Sequence, residues 1–251
     1  MAKKKKKPKR RKRSGNTLAM LQASKRNTSS LISAADRITT NLVFQDEPKL
    51  VLDLGCGEVG TIRSLAVAAR RHEGVRIFGL DRDKDVLDII TGLFPDVINP
   101  LPVDFGDPFP LGDESVDVVL MAMAFFYCND TTMRNAIEES HRVLRPDGRT
   151  ILQVNPYPME RLVLARKLLG RTPDPGKPVY VAHGQDGIAG FYHRADGEYD
   201  RAFVAGGFRK SETTSYHLPD DADLLKQLNG RESRAIKAGM HYLEYITWVK
   251  A

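Results

Sequence analysis

The stretch Val51-Leu-Asp-Leu-Gly-Cys-Gly-Glu-Val-Gly60 decides how this chain folds. It opens as a short strand, apolar except for Asp53, and ends in a turn that places glycines at 55, 57 and 60. Glycine takes the left-handed backbone of a tight turn at no steric cost and lets backbone amides approach a ligand closely. A strand running into such a turn, followed by a helix, is the nucleotide-binding start of a doubly wound α/β fold.

Strand-like and helix-like segments alternate outward from that stretch. Before it, Leu31, Ala35, Ile38 and Leu42 recur at helical spacing within 28–43, with Ser29 or Ser30 as the cap. After it come a helix over 61–72, a strand over 75–80 and a helix over 83–94 whose Val86, Ile89, Ile90 and Leu93 share a face. This rhythm predicts a parallel sheet. Residues 98–103 read as a weaker strand in which Pro100 and Pro102 cannot donate to a ladder, so it belongs at the sheet edge. The unbroken apolar run 116–122 suits a strand buried on both faces. A helix over about 131–144, a turn at Pro146-Asp-Gly148 and a strand over 150–154 follow. Beyond these, 162–169 reads as a helix ended by Gly170 and 171–190 as an irregular Pro- and Gly-rich insertion. Residues 194–205 read as a helix stopped by Gly206 and Gly207, and 210–217 and 240–249 as two closing strands.

The glycine spacing alone fits a dinucleotide. Asp81 follows 21 residues after Gly60 at the end of the second strand, where an acid reaches ribose hydroxyls. Asp53 argues the other way, because it stands two residues before the first glycine, where a bound pyrophosphate makes a carboxylate costly. An acid there suits a ligand without phosphate whose reacting end is cationic, as S-adenosylmethionine is.

At these residues the chain resembles the class I S-adenosylmethionine-dependent methyltransferases, especially those of quinone biosynthesis, whose motif is acid-x-Gly-x-Gly. Asp53, Gly55 and Gly57 match it, while the third glycine usual in the motif falls on Val59, with Gly60 one place late. Val103-Asp-Phe105, Phe109-Pro110 and Asp113-Glu-Ser-Val-Asp117 are similar to the family's third-strand acid and its approach to the fourth strand. His141-Arg-Val-Leu-Arg-Pro-Asp-Gly148 and Ala205-Gly-Gly-Phe208 are similar to its turns before strands five and six. The resemblance runs over about 49–249. It implies a Rossmann-like, doubly wound, mostly parallel seven-stranded sheet with a reversed final strand, the cofactor lying over the carboxyl ends of strands one, two and four. It further implies cofactor contacts from Asp53, Gly55, Cys56, Gly57, Asp81, Arg82, Asp104, Phe105, Met121 and Ala122. Asp104 would meet the adenine amino group, Phe105 would flank the ring, and Met121 and Ala122 would lie near the methionine part.

Methyl transfer needs no nucleophile from the protein, because the sulfonium is already a good leaving group and alignment of the acceptor supplies most of the acceleration. A proton acceptor near the sulfonium serves an oxygen, nitrogen or activated carbon acceptor. Tyr127, His183, Tyr192 and His193 are the candidates; Phe126 and Tyr127 stand where similar enzymes often carry His, and either they line the pocket or they are ordinary core. Asn155-Pro-Tyr-Pro158 resembles a signature of base-amine methylation but ends strand five rather than strand four, so no weight falls on it. His141 reads as structural. The six histidines and two cysteines show no metal-ligand spacing, so no metal is expected.

Residues 1–16 read as a disordered polybasic tail and 17–251 as one methyltransferase domain, with 156–190 a lid-like insertion. The tail carries ten Lys and Arg between 3 and 13 and no acid. The chain has 38 Lys and Arg against 32 Asp and Glu; without the ten of the tail, 28 face 32, a net charge of −4. The cations thus describe the tail, which either is a solvated extension or draws the domain to a polyanion or nucleic acid. No aromatic interleaves them, so base stacking is not expected there. No stretch approaches the ~20 apolar residues of a membrane span. Cys56 and Cys128, the only cysteines, are expected as free thiols in a reducing compartment, giving a cytoplasmic protein, or a nuclear one in a eukaryote. Three functional readings stay open: methyl transfer to a small molecule, methylation of RNA or of a nucleic-acid-associated protein through the tail, and a scaffold of this fold without chemistry.

Overall fold

The computed structural model describes residues 30–57, 60–122, 124–154, 178–182, 188–192, 194, 197–217 and 242–251. The tail 1–16, the helix expected over 162–169, Asn155–Pro158, His183 and His193 lie outside these. In chain order the elements are α1 (Ser30–Phe44), β1 (Leu50–Leu54), α2 (Thr61–Ala69), β2 (Arg76–Leu80), α3 (Lys84–Leu93), β3 (Ile98–Leu101) and β4 (Val116–Ala122). A 3-10 turn (Ala124–Tyr127) leads to α4 (Asp130–Val143), β5 (Leu144–Val154), β6 (Pro178–Ala182), β7 (Ile188–Tyr192), α5 (Glu198–Ala205), β8 (Phe208–His217) and β9 (Tyr242–Lys250).

Seven strands form one sheet in the order β3-β2-β1-β4-β5-β9-β8. The first five run parallel, and β9 is antiparallel to both β5 and β8, which makes the last strand the reversed one. The edge position of β3 suits Pro100, which faces Gly79 of β2 and among the described residues has no strand on its other side.

Side chains alternate across the sheet and fill two cores. Val51, Ile77, Val118, Leu120, Ile151 and Tyr245 meet α1, α2 and α3 through Ile38, Ile62, Leu65, Leu87 and Ile90. Leu52, Leu54, Val119, Met121, Leu152 and Trp248 meet α4 and α5 through Met133, Ile137 and Phe203. Phe203 stacks on Trp248 with ring centroids 4.6 Å apart, which fixes α5 against β9. Asp83 and Asn129 cap α3 and α4, accepting from the amides of Asp85 and Thr132. α1 is tied to β9 by a hydroxyl relay in which Thr39 donates to Tyr245 and Tyr245 donates to the Ala35 carbonyl.

The structure departs from the sequence reading in three places. Pro146-Asp-Gly148 is not a turn between elements but lies within β5, where Val116 faces Leu144 and Val118 faces Arg149, so residues 145–148 bulge out of the ladder. Turn chemistry and bulge chemistry look alike in sequence. Gly148 is needed there because a Cβ would fall 2.9 Å from the Asp117 carbonyl oxygen. The insertion read as irregular contains the β6–β7 hairpin, whose ladder pairs Pro178 with Tyr192 and Ala182 with Ile188. The helix read from 194 begins only at Glu198, after Gly197 in the left-handed region at φ 72°.

Candidate binding site at the carboxyl edge of the sheet

The sheet order sets β3, β2, β1 and β4 side by side, so Asp53 near the end of β1, Asp81 and Asp104 after β2 and β3, and the end of β4 share one edge. Gly55 and Cys56 both donate to the Leu80 carbonyl, at 2.8 and 3.1 Å, which locks the glycine turn to the end of β2. Gly55 has φ 66°, and a Cβ there would lie 3.1 Å from the Ala124 Cβ and 3.7 Å from the Phe105 ring. Gly57 has φ 64°, and a Cβ there would meet nothing within 4 Å. The turn is therefore closely packed at its first glycine and open at its second, where a ligand has room against bare backbone.

Asp81 bridges two amides, accepting from Gly57 at 3.1 Å with one oxygen and from Asp83 at 2.9 Å with the other. Each oxygen keeps a second lone pair for a hydroxyl donor. Asp104 accepts from the Gly106 amide at 3.0 Å and faces the Arg82 guanidinium at 3.6 Å. Phe105 lies between the glycine turn and Phe125, its ring centroid 6.4 Å from that of Phe125.

Asp53 is the unusual member. It is 1 % exposed, and its Oδ2 has no hydrogen-bond partner. Strand alternation points it away from Leu52 and Leu54, toward the face that α1 and α2 cover. Burial first, then the charges of Asp81 and Asp36, push its pKa up to about 8. A buried carboxylate left without a partner carries a desolvation cost that a cation placed beside it would remove.

Asp36 was not among the residues singled out from sequence. It projects from α1 with 7 % of its surface exposed, accepts from the Thr61 hydroxyl at 3.0 Å and lies 3.9 Å from where a Gly60 Cβ would be. Burial raises its pKa, and the Thr61 bond opposes that. Its sequence signal was an acid set among Ala35, Ile38 and Thr39, residues of the buried side of the helix.

At the end of β4, Met121 is wholly buried in the core shared with α4 and α5, while Ala122 packs toward the opposite core. The strand stops at Ala122, as its apolar run predicts, and 124–127 form a 3-10 turn. Ala124 and Phe125 are buried in it, whereas Tyr127 is 48 % exposed. Of the proton-acceptor candidates, Tyr192 is half-buried at the end of β7, with the Arg194 guanidinium 5.9 Å from its ring centroid. Arg194 also escaped the sequence reading. Its guanidinium donates to the carbonyls of Phe125 at 2.6 Å and Cys128 at 2.9 Å, approaches Asp130 at 3.3 Å and lies over the Tyr199 ring at 5.7 Å.

Two sequence motifs prove to be framework. Arg142 pairs with Glu139 and Asp113 and donates to the carbonyls of Phe109 and Leu111, so it pins the approach to β4. His141 packs edge-on against Phe208 at 5.2 Å, and burial lowers its pKa. Neither cysteine has the environment of a reactive thiol: burial raises the pKa of Cys56, and that of Cys128 up to about 11. Both are expected to resist a thiol-specific disulfide reagent at pH 7.5 in the native protein and to react after unfolding; rapid native labelling of either would contradict the burial described.

Residues 52–152 match the family described as a methyltransferase domain. An uncharacterised methyltransferase of Mycobacterium tuberculosis is 35 % identical over 128 residues, 50 % of this chain and 48 % of that protein. The chain thus spans about half the length of the curated relatives it matches. Among solved structures, an assigned S-adenosylmethionine-dependent methyltransferase of Listeria monocytogenes superposes with a TM-score of 0.63 at 18 % identity, over 87 % of this chain and 97 % of that one. A geranyl diphosphate methyltransferase in complex with S-adenosylmethionine superposes with a TM-score of 0.61 at 14 % identity, over 94 % and 91 %. Over residues 52–152 the chain is thus similar to methyltransferase domains, and its strand order, reversed last strand and superpositions show the Rossmann-like α/β fold of S-adenosylmethionine-dependent methyltransferases.

Proposed function

We propose that this chain is an S-adenosylmethionine-dependent methyltransferase acting on a small-molecule acceptor. The observation that carries the cofactor assignment is Asp53, a buried carboxylate with a free oxygen beneath an open glycine turn. The residues present fit the group: the carboxyls of Asp53, Asp81 and Asp36 gather at the turn, where an ammonium or sulfonium would stabilise their ionised form and a pyrophosphate would be repelled by it. Bound there, S-adenosylmethionine supplies a methyl group activated by the sulfonium. Asp81 offers its remaining lone pairs to ribose hydroxyls, Gly55, Cys56 and Gly57 provide the backbone floor, and Asp104, Phe105 and Arg82 hold the adenine end. Ala122, the last residue of β4, would close the wall on that side, with Met121 buried in the core behind it.

The small-molecule reading is supported by the position of β7, which lies beside the 3-10 turn at the end of β4, with Arg194 just after it donating to the Phe125 carbonyl of that turn. The geranyl diphosphate enzyme of the same fold acts on an acceptor of that size. Tyr127, Tyr192, His183 and His193 are the candidates for holding the acceptor or taking its proton. A second reading, methylation of RNA or of a nucleic-acid-associated protein, is favoured by the ten cations of residues 3–13.

Titration calorimetry is expected to show saturable binding of S-adenosylmethionine and none of NAD. Failure to bind at millimolar concentration would overturn the enzyme reading. Once an acceptor is found by following S-adenosylhomocysteine release, deleting residues 1–13 is expected to leave turnover unchanged at physiological salt. A loss that grows as salt is lowered would favour the nucleic-acid reading instead.

A further inference from the structure

We infer that Asp36 is a cofactor-selecting residue: with Asp53 it forms the receptor for the α-ammonium of the amino-acid end of S-adenosylmethionine. The inference rests on the cofactor assignment above and adds to it a residue outside the matched segment 52–152.

Three placements lead there. First, the sheet order puts Asp81 and Asp104 after β2 and β3, on one side of β1, where ribose and base would lie. α1 reaches the turn from the other side, because Thr39 and Ala35 are hydrogen-bonded to Tyr245 of β9, beyond β4 and β5. Asp36 therefore stands at the end of the site opposite the adenosine. Second, Asp53 points to the same face of β1 as Asp36, and its Oδ2 is buried and unpartnered, so that corner has an acceptor aimed at nothing the protein supplies. An ammonium carries three donors and satisfies such an acceptor together with a second carboxylate. Third, Asp36 is held in place: the Thr61 hydroxyl fixes one oxygen at 3.0 Å, and Asp36 itself stands at the start of α2, whose N-cap Gly60 offers no capping side chain. Among the described residues no Lys or Arg makes an ion pair with either acid, which leaves the corner open to a cation brought by the ligand.

The test compares two probes on the full chain at pH 7.5. S-adenosylhomocysteine carries the ammonium; 5′-methylthioadenosine keeps the adenosine and sulfur but lacks the whole amino-acid end. Asp36→Asn preserves an oxygen for Thr61 and removes the charge, so the fold is expected to survive, checked by an unchanged melting temperature. The expected result is a loss of S-adenosylhomocysteine affinity of roughly tenfold or more, the scale of one charge-assisted hydrogen bond, with 5′-methylthioadenosine unchanged. Asp81→Asn, on the ribose side, is expected to weaken both probes. Equal affinity of Asp36→Asn and the wild type for S-adenosylhomocysteine, or equal losses for both probes, would overturn the role of Asp36. If the wild type binds neither S-adenosylmethionine nor S-adenosylhomocysteine, it is the cofactor assignment that falls.

Discussion

Asp53→Asn is expected to lower S-adenosylmethionine affinity at pH 7.5 by roughly tenfold or more and to remove the pH dependence of binding on the acid side. In the ligand-free protein, burial together with Asp81 and Asp36 holds the Asp53 pKa at about 8, so the carboxyl is largely protonated at pH 6. A cation placed against it lowers that pKa, and binding below pH 8 must release the proton. Wild-type affinity therefore rises from pH 6 toward neutrality. Above about pH 8 the ligand loses its own ammonium, whose ordinary pKa is about 7.7–8.0, and the profile turns down. The Asn variant keeps only the falling limb. Calorimetry at several pH values, in two buffers of different ionisation enthalpy, reads both the affinity and the proton count; a wild-type affinity flat between pH 6 and 7.5 would contradict the assignment.

The same residue makes a prediction about the empty fold with the opposite sign. A carboxyl raised in the folded state stabilises most below its unfolded pKa, and that contribution is lost as pH rises through its folded value near 8. The Asn variant has nothing to ionise. Its melting temperature is therefore expected to exceed that of the wild type increasingly between pH 6 and pH 9, and an unchanging difference would show that Asp53 titrates normally. Weaker binding with a more stable apoprotein is the signature of a group kept for its ligand rather than for the fold.

What the sequence revealed and what it hid follow from the range of the interactions involved. The glycine turn, Asp81 and the edge placement of β3 depend on neighbouring residues and on strand periodicity, and both are written locally. The reversed last strand came from the family resemblance, since nothing in 240–249 alone says that it slips between β5 and β8. Asp36 was passed over because an acid in an amphipathic helix is ordinarily solvated, and only the packing of α1 across β9 brings it to Thr61. Pro146-Asp-Gly148 was misplaced because a bulge and a turn ask for the same residues. The β6–β7 hairpin was hidden by prolines and glycines that break every periodic pattern.

Arg194→Ala is expected to cost the largest stability of any single change considered, about 3 kcal/mol or more. The side chain is 2 % exposed, and its guanidinium donates to the carbonyls of Phe125 and Cys128, 69 and 66 residues away in sequence. Truncation takes the donor from the Cys128 carbonyl and leaves the Phe125 carbonyl with the weak Cys128 thiol at 3.7 Å, in a place that water reaches poorly, at about 1–3 kcal/mol each. The Asp130 partner adds less, since it is one-third exposed. The cost is not confined to stability, because Phe125 follows Ala124, whose Cβ lies 3.1 Å from where a Gly55 Cβ would be. Releasing the 3-10 turn therefore loosens the wall of the glycine turn, and S-adenosylmethionine affinity is expected to fall along with the melting temperature. Two further variants separate the causes. Lys keeps the charge but offers one ammonium in place of a planar fork, so it is expected to recover only part of the loss. Met restores bulk without any donor and is expected to recover little. A Met variant as stable as the wild type in denaturant unfolding would show that packing, rather than capture of the two carbonyls, holds β7 to the end of β4.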